Sequence, residues 1–508
     1  IAAQVERLPL ALELAAGRFD ALGLTDVLDR LTRGDELTIP AVDRPERQHS
    51  ARAAAEWSLG LLDGDQRVLM QRLVTCSAPF TARAATHLWA SPPLHEADIG
   101  RLLGELVERS LLHRIDTTPT RFGVLDTVRR ALLEQTPSGE VCANHGHLVD
   151  AVIEVAKAVA FDGDPPLPIA ELAGEAVPAL DWLDARDDPR QRTLAGLLGT
   201  FFIEQGRISE GREKLARAID ANPGAPTLVR ALTTAQAGFL AWYQGDHHAT
   251  RRILGEVTAA VADGELAGLR PTVEGCAAFV EGRYDDAEAA LGAAADRVRT
   301  PSRQHLLLLH MAGNVAWYAG RLDRAADRYR RQRESADALD DRFHLAQALR
   351  FEAMVTAQRG DIESAWRWSE RSLAMARASA DPVSLAQSST ASAVVALEAG
   401  AESDAMQHAV AALRVSRRHF DVFALRTSIP IVAGLIGRSG DAERAARLLG
   451  WYLDLLERTG QTPSPAARTF AESTLKSVRD TLGPTGFARA SASGAAGRFA
   501  DVLADAGA

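Results

Sequence analysis

Seven glycines recur through the second half of the chain at a nearly constant interval. They are Gly206, Gly245, Gly282, Gly320, Gly360, Gly400 and Gly440, with gaps of 39, 37, 38, 40, 40 and 40 residues. A fixed period of this size marks a stacked array of supersecondary units, since one helix pair cannot bury its apolar face alone. Each glycine falls between two helical patterns, where a tight turn needs positive φ. Seven residues before it stands Gly199, Gly238, Gly275, Gly313, Ala353, Ala393 or Ala433. Five residues after it stands Gly211, Thr250, Ala287, Ala325, Ala365, Ala405 or Ala445. Small residues at both points let the paired helices approach closely. Such an array offers a long concave surface rather than a closed catalytic pocket, so interaction and sensing are expected before catalysis.

At 508 residues the chain exceeds one hydrophobic core, and two to four domains are expected. The net charge of −10 argues against a broad nucleic-acid surface. No run of about 18 apolar residues occurs, so no membrane span is predicted. Cys76, Cys142 and Cys276 lie far apart, which suggests no disulfide framework and fits a reducing cytoplasm.

Several chemistries lack their residues. The chain has no Gly-x-x-x-x-Gly-Lys-Ser/Thr loop to cradle phosphates, and its three lysines, Lys157, Lys214 and Lys476, stand beside no glycine loop. This chain is therefore expected neither to hydrolyse ATP nor to be an enzyme. No Gly-x-Ser-x-Gly elbow occurs. Cys142, His145 and His147 form one short cluster, but a structural zinc site needs a second, so no metal is expected. His247-His248 reads as a solvated turn opening a helix.

The front end has another grammar. Ser50 caps a helix to about Leu61, Asp63 caps a second to Val74, and Thr81–Trp89 and Asp98–Arg109 make two more. Leu111–Ile115 and Arg121–Leu125 flank the turn Asp116–Thr120 and predict a β-hairpin. Helices followed by a hairpin make a winged helix. Its candidate recognition helix balances Arg101 and Arg109 with Asp98, Glu105 and Glu108, which is poor for phosphate contact. The predicted fold is mainly α, a winged-helix domain followed by an α-solenoid of about seven helix pairs. The domains are a helical segment at 1–45, the winged helix at 50–137, connecting helices at 138–190 (one over Glu175–Ala185), the repeat array at 191–458 and a helical tail at 459–508. In the tail, Ala466–Leu482 reads as helix and Ser491–Gly497 as a flexible stretch. Pro430 either interrupts the first helix of the last repeat or starts it late.

Gly206–Ala218 and Gly282–Ala294 carry a turn glycine, a small residue, a large apolar residue and a final alanine in one register, which resembles the tetratricopeptide repeat. Arg7-Leu-Pro-Leu-Ala11, Ala53–Leu62, Arg121–Arg129 and Phe201–Arg212 together resemble, in order, four segments of the STAND-class regulators with an NB-ARC nucleotide switch. Many members of that class are transcription activators. The resemblance implies a nucleotide module, bearing the phosphate loop, upstream of a chain that opens at Ile1 in mid-helix. It implies ATP or ADP as the intact protein's cofactor, an inducer or partner protein on the repeats, DNA output through a domain outside this chain, and oligomerisation on activation. By the same resemblance Pro9 would lie against adenine and Asp126 would be a switch residue; a proline at a helix start and an N-cap are the plain alternatives. Arg7 replaces the family's glycine, and the histidine preceding the aspartate is Leu125 here. Two other functions share these repeats: a scaffold without a switch, and the regulatory part of a cyclase or kinase fusion.

Carried over from the tetratricopeptide register, the first helix of each pair lines the concave face. That places Phe239, Trp242, Cys276, Phe279, His310, Asn314, Trp317, Gln347, Arg350 and Met354 toward one groove. Aromatic anchors beside an arginine and amides suit a peptide or an amphipathic ligand. Trp242 and Trp317 could equally fill the core between repeats.

Overall fold

The computed structural model describes residues 51–507 apart from 116, 118, 161–166, 168, 206, 222–226, 259–269, 299–300, 380 and 418–420. Two compact units divide between Asp188 and Pro189.

The first unit opens with α1 (Ala51–Gly60) and α2 (Gly64–Leu73). Asp63 starts α2 with a reciprocal cap: its carboxylate accepts from Gln66 N at 2.8 Å, and the Gln66 side chain accepts from Asp63 N at 3.3 Å. A two-residue strand, β1 (Phe80–Thr81), leads into α3 (Ala82–Trp89), where Thr81 Oγ1 accepts from Ala84 N at 3.0 Å. Helix α4 (Glu96–Glu108) buries Ile99, Leu102, Leu103 and Leu106 at helical spacing. The expected hairpin forms from β2 (Leu112–Ile115) and β3 (Arg121–Val124), with Leu112 opposite Val124. Strand β1, too short to read from the sequence, pairs with the free edge of β3, Phe80 opposite Phe122, giving the order β1-β3-β2. Gly123 has a steric reason: a Cβ there would lie 2.3 Å from the His113 ring on the paired strand. Helices α5 (Asp126–Gln135), α6 (Ser138–Ala160) and α7 (Ile169–Asp184) follow. Helix α7 starts at Ile169 rather than Glu175, and Glu175 instead sits in its interior. Its buried carboxylate accepts from Ser77 N at 3.0 Å and Ala78 N at 2.7 Å.

The second unit is a tetratricopeptide-like solenoid. After α8 (Arg190–Leu197), α9 (Gly199–Glu204) pairs with α10 (Ile208–Ala221) and α11 (Thr227–Tyr243) with α12 (His247–Thr258). Then come α13 (Arg270–Val280) with α14 (Tyr284–Arg297), and α15 (Arg303–Tyr318) with α16 (Leu322–Ala338). The array continues with α17 (Arg342–Gln358) and α18 (Ile362–Ser379), then α19 (Pro382–Glu398) and α20 (Glu402–Ser416). It ends with α21 (Val422–Arg438) and α22 (Ala442–Thr459), so the described residues hold seven pairs. The periodic glycines from Gly245 to Gly440 have φ between +74° and +101°. At Gly320 an added Cβ would meet nothing within 4 Å, so the requirement there is conformational. Seven residues earlier the reason is space: a Cβ at Gly313 would lie 2.6 Å from the Tyr329 ring. The alanines five residues after the glycines, from Ala287 to Ala445, are wholly buried.

Helix α21 runs unbroken through Pro430 and is buried over most of its length, so packing outweighs the roughly 3 kcal/mol that an interior proline costs. Helix α22 ends at Gly460, and α23 (Arg468–Ala495) and α24 (Phe499–Ala506) follow. Helix α23 extends well past Leu482, with a kink at Gly483 (φ 67°, ψ 168°). The Ser491–Gly497 stretch is not a loose one: most of it is the last turn of α23, laid backbone to backbone on α22. A Cβ on Gly450 would lie 2.0 Å from the Ser491 carbonyl oxygen, and one on Gly494 would lie 1.9 Å from that of Arg447. Small side chains there serve close approach, the property that also makes such a composition look like a linker. Among the described residues no helix is long and apolar enough to cross a membrane.

Candidate ligand cavity in the repeat unit

The concave sides of α11, α13, α15, α17, α19 and α21 enclose a cavity of about 550 Å³, within the range of small-molecule sites. Its curvature closes on itself. Gln461, just past α22, donates through Nε2 to the Gly245 carbonyl at 2.6 Å, and His248 Nε2 lies 3.2 Å from the Glu457 carbonyl. Two turns more than two hundred residues apart in sequence are thus in direct contact.

Of the residues placed in the groove from the repeat register, Trp242, Phe279, His310, Asn314, Trp317, Gln347 and Arg350 all line this cavity. Phe239, Cys276 and Met354 do not; all three are buried in the core. Phe239 is 3% exposed and packs with Leu254, Val273 and Phe279, because the cavity opens at the glycine end of α11, one turn further along. For Trp317 core and groove coincide. It is 2% exposed, its ring meets Phe351 edge-on at 5.9 Å, and its Nε1 donates to Gln358 Oε1 at 2.7 Å.

The polar lining is an ordered network. Arg350 Nη2 donates to Gln387 Oε1 at 2.9 Å, and Gln387 Nε2 donates to Asp421 Oδ2 at 2.8 Å. Burial pushes the Arg350 guanidinium down to about 10, while Asp381 and Asp421 hold it up. Burial likewise raises the Asp421 carboxyl. His310 is held neutral, first by burial and then by His344 and Arg350. Tyr329 donates to Asn314 Oδ1 at 2.8 Å, which turns the amide so that Nδ2 donates to His310 Nε2 at 3.0 Å. The His310 proton then resides on Nδ1.

Several lining residues had no earlier place in the groove: Tyr243, Tyr318, Phe351, Gln387, Asp421 and Arg426. Gln387 was within reach of the register, since it stands thirteen residues before Gly400 just as Gln347 stands before Gly360. Arg426 is one residue out of that register, and Gln461 arrives only through the closure. His247 lines the cavity as well, 8% exposed, and is not a solvated turn.

Pro9 lies outside the described residues. Asp126 is exposed at the first position of α5, 4.0 Å from Arg129, with Leu125 as the N-cap in its place. Among the described residues no group of histidine, cysteine and carboxylate side chains could hold a metal. His145 Nδ1 lies 3.0 Å from the Val141 carbonyl and His147 Nε2 lies 2.6 Å from that of Leu88, while Cys142 is exposed.

No family model matches the chain. A Mycobacterium tuberculosis protein provisionally named an HTH-type transcriptional regulator is 31% identical over 150 residues, which cover 29% of this chain and 17% of that protein. The chain thus matches about a sixth of this curated relative's length. An uncharacterised protein of the same organism is 31% identical over 149 residues, 28% of this chain and 37% of its own length. Among solved structures, a STAND protein with a tetratricopeptide repeat sensor from Pyrococcus horikoshii matches 85% of this chain and 67% of its own at 13% identity, TM-score 0.44. A Rap protein complexed with Competence and Sporulation Factor matches 63% of this chain and 98% of its own at 12% identity, TM-score 0.45.

Proposed function

We propose that the repeat unit is the sensor of a signal-responsive transcriptional regulator and that its cavity is the sensing site. One observation carries the reading: seven of the ten residues placed from the repeat register converge on one cavity lined by aromatic and polar side chains. The regional likeness to an HTH-type regulator supplies the output, transcription. The chain itself is no enzyme in this reading, since it offers no phosphate loop. In the intact, cytoplasmic protein an ATP/ADP switch precedes residue 1, residues 50–137 form the winged helix that couples it to the repeats, and DNA is bound by a domain outside this chain. Ligand binding shifts the switch only by its differential affinity for the two states, and activation assembles oligomers.

Trp242 suits the test because it is half-buried at the cavity wall and its Nε1 meets no acceptor among the described residues. Trp242→Ala, placed in the intact protein in its host, is expected to alter the same transcripts as deletion of the gene while leaving the melting temperature within a few degrees. Wild-type transcripts from a folded Trp242→Ala protein would end the sensing assignment.

A further inference from the structure

The cavity's hydrogen-bonding capacity is lopsided. Arg350 is 2% exposed and Arg426 7%, both line the cavity, and neither forms an ion pair among the described residues. Arg350 spends Nη2 on Gln387, but its Nε and Nη1 meet no acceptor. Arg426 gives Nη1 to the Thr462 carbonyl at 3.1 Å, lies over the Tyr318 ring at 5.5 Å, and leaves Nε unmatched. Trp242 Nε1 and His310 Nδ1, a donor in the tautomer deduced above, are also unmatched.

Three acids line the same space, and each of their oxygens already accepts a hydrogen bond; Glu210 does so from Arg207 at 2.6 and 2.8 Å. Asp381 accepts from Val383 N at 3.3 Å and Ser384 N at 2.8 Å, capping α19. Asp421 accepts from Ala424 N at 2.7 Å and from Gln387. Against four unmatched donor groups stands Gln461 Oε1, a pure acceptor, while the Tyr243 hydroxyl in the same lining can donate or accept. A buried guanidinium without an acceptor is costly, and an anionic partner removes that cost while adding charge-assisted hydrogen bonds.

We propose that the cavity binds a small organic anion, with its acid group against Arg350 and Arg426 and its apolar body among Trp242, Phe279, Trp317 and Phe351. The proposal rests on the sensing reading and names its ligand class. The aromatic walls are continuous: Trp242 meets Phe279 at 6.0 Å and His310 at 6.4 Å, and Phe351 meets His310 at 4.9 Å and Trp317 at 5.9 Å. About 550 Å³ fits one drug-sized molecule rather than an extended peptide. Asp381 and Asp421 keep the cavity near neutral overall, so a lone inorganic anion would gain little from it; the apolar body is required.

A matched pair of fluorescent probes tests this on the whole chain. 8-Anilinonaphthalene-1-sulfonate carries the acid group, and N-phenyl-1-naphthylamine is the same skeleton without it. The sulfonate is expected to saturate at one site, with energy transfer from tryptophan, about tenfold or more tighter than the neutral probe, the scale of a hydrogen-bonded buried charge. Arg350→Gln and Arg426→Gln should each cost the sulfonate about tenfold and leave the neutral probe within about twofold; Arg350→Lys should retain most sulfonate binding. Melting curves establish that each variant is folded, and if Arg350→Gln is not, the wild-type probe comparison and Arg426→Gln decide. Equal affinity for both probes, or sulfonate binding indifferent to the arginines, would overturn the anion assignment and leave the sensing site standing. Saturable binding of neither probe would overturn both.

Discussion

His247 heads α12 and is 8% exposed; burial, then the guanidiniums of Arg426 and Arg251, depresses it to about 3. His310 is depressed well below the ordinary histidine value, first by burial. In both the fold favours the neutral ring, so their stability contribution is fully present above the unfolded value near 6.5. It is lost as pH falls below that, at about 1.4 kcal/mol per pH unit for each ring. Between pH 7.5 and 5.5 the two together should cost about 3 kcal/mol, read from urea melts of the repeat unit. Glu352 and Asp421, raised by burial, act in the opposite sense, so the variants rather than the wild-type curve decide. His247→Gln with His310→Gln should flatten the curve over that range, and an unchanged slope would refute the assignment. The sequence alone gave little warning of His247. Its neighbours are polar, and its burial comes from the closure around Gly460, remote in the chain.

At the scale of elements, helices and turns were readable because their causes are local. Asp63 and Thr81 announce α2 and α3 through their caps, and the periodic glycines announce turns that only positive φ can make. The tail was misread because one composition serves two physical ends. Ser491–Gly497 is small and polar, as a linker is, yet α23 uses that smallness to bring its backbone onto α22. Valine at 494 would drive a side chain into the Arg447 carbonyl, which as backbone cannot rotate away. Gly494→Val should therefore release the end of α23 and α24, including the Asp505 carboxylate that holds Arg447 at 2.7 and 2.8 Å. Limited trypsin digestion should then cut after Arg489 or Arg498 at least about tenfold faster, with the array up to α21 still protected, since local opening need not be global. Wild-type resistance of α23 and α24 would show that the close approach is dispensable.

For the whole repeat unit, closure changes how the array holds together. A row of repeats contacting only neighbours unfolds piecewise, with terminal repeats fraying first. Here the turn at Gly245 is joined to Gln461 across 216 residues, and His248 reaches Glu457. Nothing in the sequence period reveals that contact, because the period fixes each pair's geometry while closure depends on small rotations summed over six pairs. Once formed, it stabilises α11 and α22 against fraying and keeps the cavity enclosed. Closing so long a loop costs several kcal/mol of chain entropy in an open array, but adds little once the intervening pairs are folded. Residues 245–461 should therefore unfold in one transition. Gln461→Ala with His248→Ala removes two hydrogen bonds worth about 1 kcal/mol each and no core side chain. The double variant should lower the urea m-value as the transition splits, and amide exchange should quicken in α11, α12 and α22 while α15 to α18 stay protected. If m-value and exchange match the wild type, the array is held by neighbour contacts alone, and the cavity owes its enclosure to curvature rather than to the latch.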